Sequence, residues 1–268
     1  MELVLDLLPP RQMDILDIAR REGRVDVESL ARHFDVTVQT IRKDLNDLCE
    51  LEKLHRVHGG AVYPSNTANL AYQARREISA QGKQSIARET AKLIPDNASL
   101  FMNIGTTTEQ VAHALRGHKG LIVVTNNINV AVILSDAPDI ELVIAGGTVR
   151  KTDGGIIGAA AIDVIKQFKV DFAIIGASAI DDDGALLDFD YGEVRVAQAI
   201  ISQARHTVLV ADATKFERRA PVQIGHMSDI HTLVTDKEPP EEVLSIIEEA
   251  GTELIVAGEG SDNVLSFG

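Results

Sequence analysis

From about residue 81 to residue 258, short apolar runs alternate with helical stretches, and that rhythm leaves few folds open. The runs are SLFMNIG, LIVVTNN, IELVIAGG, VDFAIIGAS, HTVLVAD, IHTLVTD and ELIVAG. Between them lie EQVAHAL, INVAVILSD, AAIDVIKQF, EVRVAQAIISQA and PEEVLSIIEEA, which read as helices. Continuous β-branched strands, without the alternation of a one-sided sheet, are buried on both faces. The pattern therefore requires an α/β domain whose largely parallel sheet is covered by helices on both sides. No internal repeat or low-complexity tract interrupts it.

The first 63 residues follow another rhythm. RQMDILDIARREG sets Met13, Leu16 and Ala19, with Ile15 alongside, on one side of a helix that ends at Gly23. DVESLARHF is a second, short helix with Asp26 as N-cap and Leu30 and Phe34 one turn apart. Asp35 and Val36 make a tight connection, and Thr37 caps a third helix, TVQTIRKDLNDL. There Val38, Ile41, Leu45 and Leu48 form an apolar stripe, and Gln39, Arg42, Lys43 and Asn46 fall on the other side. KLHRVHGGAVY then reads as two short strands, His55 to His58 and Ala61 to Tyr63, about a Gly59-Gly60 turn. Residues 64–80 carry Pro, Ser and Asn before a weakly patterned polar helix and are the expected linker. Residues 259–268 are an expected C-terminal tail.

Helices followed by a glycine-turned hairpin form the winged helix-turn-helix pattern. The second of two short helices enters a major groove while the first crosses the backbone. A helix offered to bases needs an apolar rear stripe to lock it and hydrogen-bonding side chains in front. Gln39 suits adenine edges, Arg42 guanine edges or phosphate, and Lys43 phosphate. Thr37, Thr40 and Asn46 complete the expected contacts on this helix, and Arg56 and His58 those of the hairpin. Asp44 and Asp47 would repel DNA if they faced it, so they are expected at the flank, holding basic side chains. The bland alternative is a solvated polar face. The short helix before it and the wing after it favour the groove-reading alternative.

Charge tests that expectation. The net charge is −14. Residues 1–63 hold 9 Lys/Arg and 12 Asp/Glu, and the remainder 17 and 28. Bulk attraction to phosphates is therefore weak, and DNA binding must rest on a local, well-aimed face. Cys49 is the only cysteine, so no intrachain disulfide forms, which fits a reducing cytoplasm. Cys49 is expected as a small core residue. MELVLDLLPP is short, acidic and without a basic start, so it is not read as a signal peptide. His55 and His58 lack further ligands at zinc spacing, so neither a metal nor a cofactor is expected.

Ligands of open parallel sheets bind at the carboxyl ends of the strands. The residues following each run are Gly105, Thr106, Thr107 and Thr108; Asn126 and Asn127; Arg150 and Asp153; Asp190 and Glu193; and Asp212 and Lys215. A glycine–threonine turn opening a helix offers N–H groups to an anion, although the same turn also arises as a plain N-cap. Arg150 and Lys215 can hold a phosphate dianion, with carboxylates and amides for hydroxyls. Surface salt bridging is the alternative for the two cations. Asp181, Asp182 and Asp183 read as an exposed acidic turn.

At these residues the chain resembles the DeoR family of bacterial repressors. VTVQTIRKDLNDL and RVHGGA carry the likeness in the head. NIGTTT, VVTNN, AGGTVR, DGGIIG, DFDYGEVR and DATKF carry it in the body. The resemblance implies a body like ribose-5-phosphate isomerase, with Gly105 to Thr108 as the phosphate cradle and Lys215 nearby. It also implies a departure. Where those isomerases carry a Gly-Ala-Asp element, this chain reads Ile175-Gly176-Ala177-Ser178, and Glu193 is left without acidic partners. A pocket that senses rather than converts its ligand follows.

The implied function is a cytoplasmic homo-oligomeric repressor, dimer or tetramer, that releases double-stranded operator DNA when a phosphorylated sugar or polyol binds. Glycerol-3-phosphate is the preferred effector. An isomerase with an accessory head, and a DNA-binding protein whose body is only a scaffold, are the alternatives. The expected domains are 1–63, winged helix-turn-helix, and 81–258, effector sensing.

Overall fold

The computed structural model describes residues 8–22, 24–51, 53–57, 59–62, 72–258 and 264–265. The chain divides into two units, Met1–Ala68 and Asn69–Gly268.

In the first unit, helix α1 (Pro10–Glu22) buries Gln12, Ile15, Leu16 and Ala19. Met13, expected inside, is 38% exposed. Positions 12, 15, 16 and 19 complete one helical face, and 13 lies off it. Strand β1 (Arg24–Asp26) runs straight into α2 (Val27–His33), where Asp26 accepts the N–H groups of Glu28 and Ser29, both at 3.0 Å. Helix α3 (Val38–Glu50) starts at Thr37 and buries Ile41, Leu45 and Leu48 completely. Cys49 is partly buried against the same core.

Strands β2 (His55–Val57) and β3 (Gly60–Val62) form the hairpin, and β1 adds to it in the antiparallel order β1-β3-β2. Strand β1 is absent from the expected elements. Three residues between two helices carry no periodicity, and only pairing with β3 makes them a strand. Gly60 opens β3 rather than completing the turn. A Cβ there would lie 2.0 Å from the Val25 carbonyl oxygen, so the close approach of β1 admits only glycine.

The second unit begins earlier than expected. Tyr72–Glu77 is a helix, α4, and α5 spans Ala80–Leu93, so the linker expected over 64–80 loses its last nine residues. Then follow β4 (Ser99–Met102), α6 (Thr106–Leu115), β5 (Leu121–Thr125), α7 (Ile128–Leu134) and β6 (Ile140–Ile144). A hairpin of β7 (Thr148–Val149) and β8 (Ile156–Ile157) precedes α8 (Ala159–Ile165) and β9 (Val170–Ile175). Strands β10 (Ala179–Ile180) and β11 (Ala185–Asp188) lead to α9 (Tyr191–Ser202) and β12 (Ala204–Val210). Strand β13 (Val222–His226) completes a small antiparallel sheet with β10 and β11. The unit closes with β14 (Thr232–Thr235), α10 (Glu241–Ala250), β15 (Glu253–Val256) and β16 (Val264–Leu265).

The main sheet has the order β16-β15-β14-β12-β9-β4-β5-β6. Its pairings are parallel except β15 with β16. Val264 and Leu265, expected in a tail, are thus an edge strand. One face buries residues of α5, α6 and α7, and the other residues of α8, α9 and α10. Neighbouring Val123 and Val124 enter opposite cores, as a pleated strand dictates. Strand order reverses between β4 and β9: from β4 the chain winds outward to β6, and from β9 it winds the other way. The loops after these two strands diverge and open a crevice, the usual place for a ligand.

Candidate functional site

The first unit presents one polar helix face. Gln39, Arg42, Lys43 and Asn46 are exposed on α3. Two of the three acidic residues of this helix, Asp44 and Asp47, turn away from them, while Glu50 is exposed at its C-terminal end. Asp44 is buried and accepts from Arg11 Nε at 2.7 Å and Gln12 Nε2 at 3.3 Å; Asp47 accepts from Gln12 Nε2 at 3.2 Å. The face is locally basic within an acidic chain. The Thr37 hydroxyl accepts from the Thr40 N–H at 3.2 Å and lies 2.8 Å from the Thr40 hydroxyl, so this pair caps the helix. Arg56 donates to the Gly60 carbonyl across the hairpin. His58 lies outside the described residues.

In the second unit, α6 points its first turn into the crevice. N–H groups of a first turn have no partner within their helix. Gly105, Thr106, Thr107 and Thr108 form one wall and Gly176, Ala177 and Ser178 the opposite one. The Thr108 hydroxyl sits 2.7 Å from the Gly105 carbonyl and 2.9 Å from that of Asn103, which fastens the loop rather than leaving it for a ligand. Arg75 from α4, Lys215, Asp188 and Glu193 complete the lining.

Four cations gather here, Arg75, Lys83, Lys215 and Arg218. Burial pushes the Lys215 ammonium down to about 8, helped by Arg218, Lys83 and Arg75 against the pull of Asp212. Asp212 is shared with Lys83, 3.8 Å away. Burial also lowers Lys83, and burial with Arg75 lowers Arg218. Arg75 Nε and Arg218 Nη2 are buried with no hydrogen-bond partner. Unmet buried donors are costly, and a phosphoryl group supplies the missing acceptors and charge. Across the pocket, burial raises both Asp188 and Glu193 above the ordinary carboxylate range, and Asp188 adds to the effect on Glu193. Ser178 donates to Asp188 at 3.1 Å. The two carboxyl groups offer oxygens that accept from ligand hydroxyls.

Of the expected rim residues, Gly105, Thr106, Thr107, Thr108, Glu193 and Lys215 line this pocket. The others, Asn126, Asn127, Arg150, Asp153 and Asp190, do not line it and are spent on holding neighbouring loops and helix starts. Asn126 donates to the Ile156 carbonyl at 3.1 Å, and Asn127 caps α7 by accepting from Asn129 at 2.9 Å. Asp190 caps α9 by accepting the Glu193 N–H at 2.8 Å. Arg150, expected to grip phosphate, is held by Asp153 through bonds of 2.9 and 2.6 Å, by Glu193, and by Asp190 at 3.5 Å. Burial opposes the charge of Asp153, but the two Arg150 bonds outweigh it and hold the carboxyl below its usual range. Asp188 corrects the expectation that Glu193 has no acidic partner. It opens the DFDYGEVR motif, two residues before Asp190, and ends strand β11. Arg75 stood in the supposed linker, and no sequence signal tied it to the rim. Asp181 to Asp183 form a tight turn, with the Gly184 N–H donating to the Asp181 carbonyl at 2.9 Å. Among the described residues no group of three or more His, Cys, Asp or Glu is placed to hold a metal.

Residues 78–237 match the family described as the DeoR C terminal sensor domain, and residues 11–67 the DeoR-like helix-turn-helix domain. The chain is 46% identical over 237 residues to the glycerol-3-phosphate regulon repressor of Escherichia coli (strain K12), covering 88% of this chain and 94% of that one. It is 47% identical over 246 residues to the protein of the same name from Haemophilus influenzae, covering 92% and 96%. Ribose 5-phosphate isomerase A from Methanocaldococcus jannaschii overlays 52% of this chain and 55% of its own at 16% identity, with a TM-score of 0.39. The two matched domains, in their order, and the two full-length relatives make this chain a member of the DeoR family of transcriptional repressors.

Proposed function

We propose that the repressor senses a phosphorylated polyol or sugar in the crevice between β4 and β9, and that binding releases operator DNA from the first unit. The observation that carries this is the pocket's charge pattern. Unpartnered Arg75 Nε and Arg218 Nη2, the depressed Lys215 and the α6 N-terminus gather at a site that also holds Asp188 and Glu193. A phosphoryl group suits the cations and hydroxyls suit the carboxyls, whereas a second anionic group meets repulsion. Glycerol-3-phosphate has that shape, and the names of the two relatives support it. We infer that Gln39, Arg42, Lys43 and Asn46 read the operator from α3, with Thr37 and Thr40 holding its start and Arg56 and His58 serving the wing. Paired half-sites would be read by a homo-oligomer in the cytoplasm. Among the described residues no helix is long and apolar enough to cross a membrane.

Release requires the ligand to favour a state in which the head binds DNA less well, a coupling of about 1–3 kcal/mol. The experiment is a gel shift on DNA upstream of the gene for this protein, titrated with sugar and polyol phosphates. Glycerol-3-phosphate is expected to lower operator affinity in the wild type and to have no effect in Lys215→Ala. Equal operator binding with and without every phosphorylated compound refutes the proposal.

A further inference from the structure

The segment that sequence reads as a linker is built into the pocket. Tyr72 lies four positions beyond Ala68, where the first unit ends. From there α4 is fastened at both ends. The Tyr72 hydroxyl donates to Glu109 Oε2 at 2.6 Å and accepts from Asn129 Nδ2 at 3.0 Å, which also reaches Glu109 Oε1 at 3.0 Å. At the other end the buried Lys83 ammonium donates to the carbonyls of Arg75 and Ile78. Glu109 stands on α6, the helix whose first turn lines the pocket.

The Arg75 carbonyl is thus held, but its side chain is the loosely held part. Its Nη2 lies 3.3 Å from Asp153 Oδ2, and its Nε is buried without a partner. Asp153 is already engaged by Arg150 through bonds of 2.9 and 2.6 Å. Losing Arg75 therefore leaves Asp153 neutralised, while a phosphoryl group offers Arg75 two charge-assisted bonds in place of one long one. That contact exists only when the pocket is filled, which is the property a ligand needs to shift an equilibrium.

Resting on the effector reading above, we propose that α4 transmits pocket occupancy to the DNA-binding unit: bound phosphoryl draws Arg75 off Asp153, and the helix re-seats. Arg75 is thus a ligand-binding residue, and Tyr72, which does not line the pocket, is a positioning residue that fixes the end of α4 nearest the head in sequence.

The experiment uses the full chain and glycerol-3-phosphate. Ligand affinity is measured by calorimetry without DNA, and operator affinity by gel shift without ligand and at saturating ligand, for wild type, Arg75→Gln and Tyr72→Phe. Wild type is expected to lose operator affinity by roughly tenfold at saturation. In Arg75→Gln that ratio is expected to collapse toward one even when enough ligand is added to fill the site. Tyr72→Phe removes a single oxygen, so its fold is expected to survive. Its ligand affinity is expected within about threefold of wild type, while the release ratio drops by at least that factor, a fraction of a typical coupling. If wild type responds and both saturated variants release operator by the wild-type ratio, the proposal is overturned and Arg75 only binds. If wild type neither binds glycerol-3-phosphate nor lets go of DNA, the effector reading falls and this one with it.

Discussion

Lys215 should weaken the empty protein. Burial and neighbouring cations push its ammonium from 10.5 down to about 8, and each unit corresponds to about 1.4 kcal/mol. The charged form is therefore disfavoured in the folded, ligand-free state by at most about 3 kcal/mol. The residue is only half-buried, and solvent at the pocket mouth screens part of this. A net stabilisation of about 1–2 kcal/mol is expected for Lys215→Met, which keeps the stem and removes the charge. For a unit of this size that is a rise in Tm of roughly 2–6 °C. The pH dependence follows from the sign of the shift. Below about 8 lysine is charged in both folded and unfolded states, and the penalty is full. Between about 8 and 10.5 the folded state has lost the proton and the unfolded state still holds it, so stability climbs with pH and the gap between variant and wild type narrows. Differential scanning calorimetry at pH 7 and pH 9 measures this. Glycerol-3-phosphate at about 100 times its Kd should add about 2.7 kcal/mol to wild type and much less to the variant. A Lys215→Met protein that melts at or below wild type at pH 7, or that keeps the full ligand shift, refutes the reasoning. Such a residue destabilises the empty pocket and is retained for what it binds.

Other consequences follow from the same geometry. Ligand affinity by titration calorimetry should be flat from about pH 7 to 7.5 and then fall as pH passes about 8, when Lys215 sheds its proton and Glu193, raised to about 8 by burial and Asp188, ionises; in Lys215→Met that fall should shrink to the part Glu193 contributes. Arg42→Ala should weaken specific operator binding by about 1–3 kcal/mol, the worth of one good base contact, while the Tm of the second unit and its ligand shift stay at wild-type values. Gly60→Ala forces a Cβ to within 2.0 Å of the Val25 carbonyl oxygen. It should cost the first unit about 3 kcal/mol or more through backbone displacement, seen as a lower unfolding midpoint by limited proteolysis.

Local pattern was enough for elements whose cause is local. Asp26 and Thr37 cap their helices in the structure as their side chains dictate, and the α3 stripe is buried through Ile41, Leu45 and Leu48. The apolar runs became the parallel strands because their own composition suits burial on two faces, although the run at the sheet edge, β6, leaves Ile144 50% exposed. Strand β1 and the β10-β11-β13 sheet were not legible, since runs of two to five residues become strands only through partners distant in sequence.

Sequence by itself determined the kinds of unit and the end of the sheet where chemistry collects, because periodicity, capping and strand composition act over neighbouring residues. It also supplied the glycine–threonine turn and Lys215. Only tertiary structure decided which charges stay available. Arg150, alike in sequence terms to Lys215, is consumed by Asp153, Asp190 and Glu193, whereas Arg75, hidden in a supposed linker, reaches the pocket with an unmet N–H. Whether a cation is spent or free depends on what lies within about 4 Å of it, and sequence order carries no such distances.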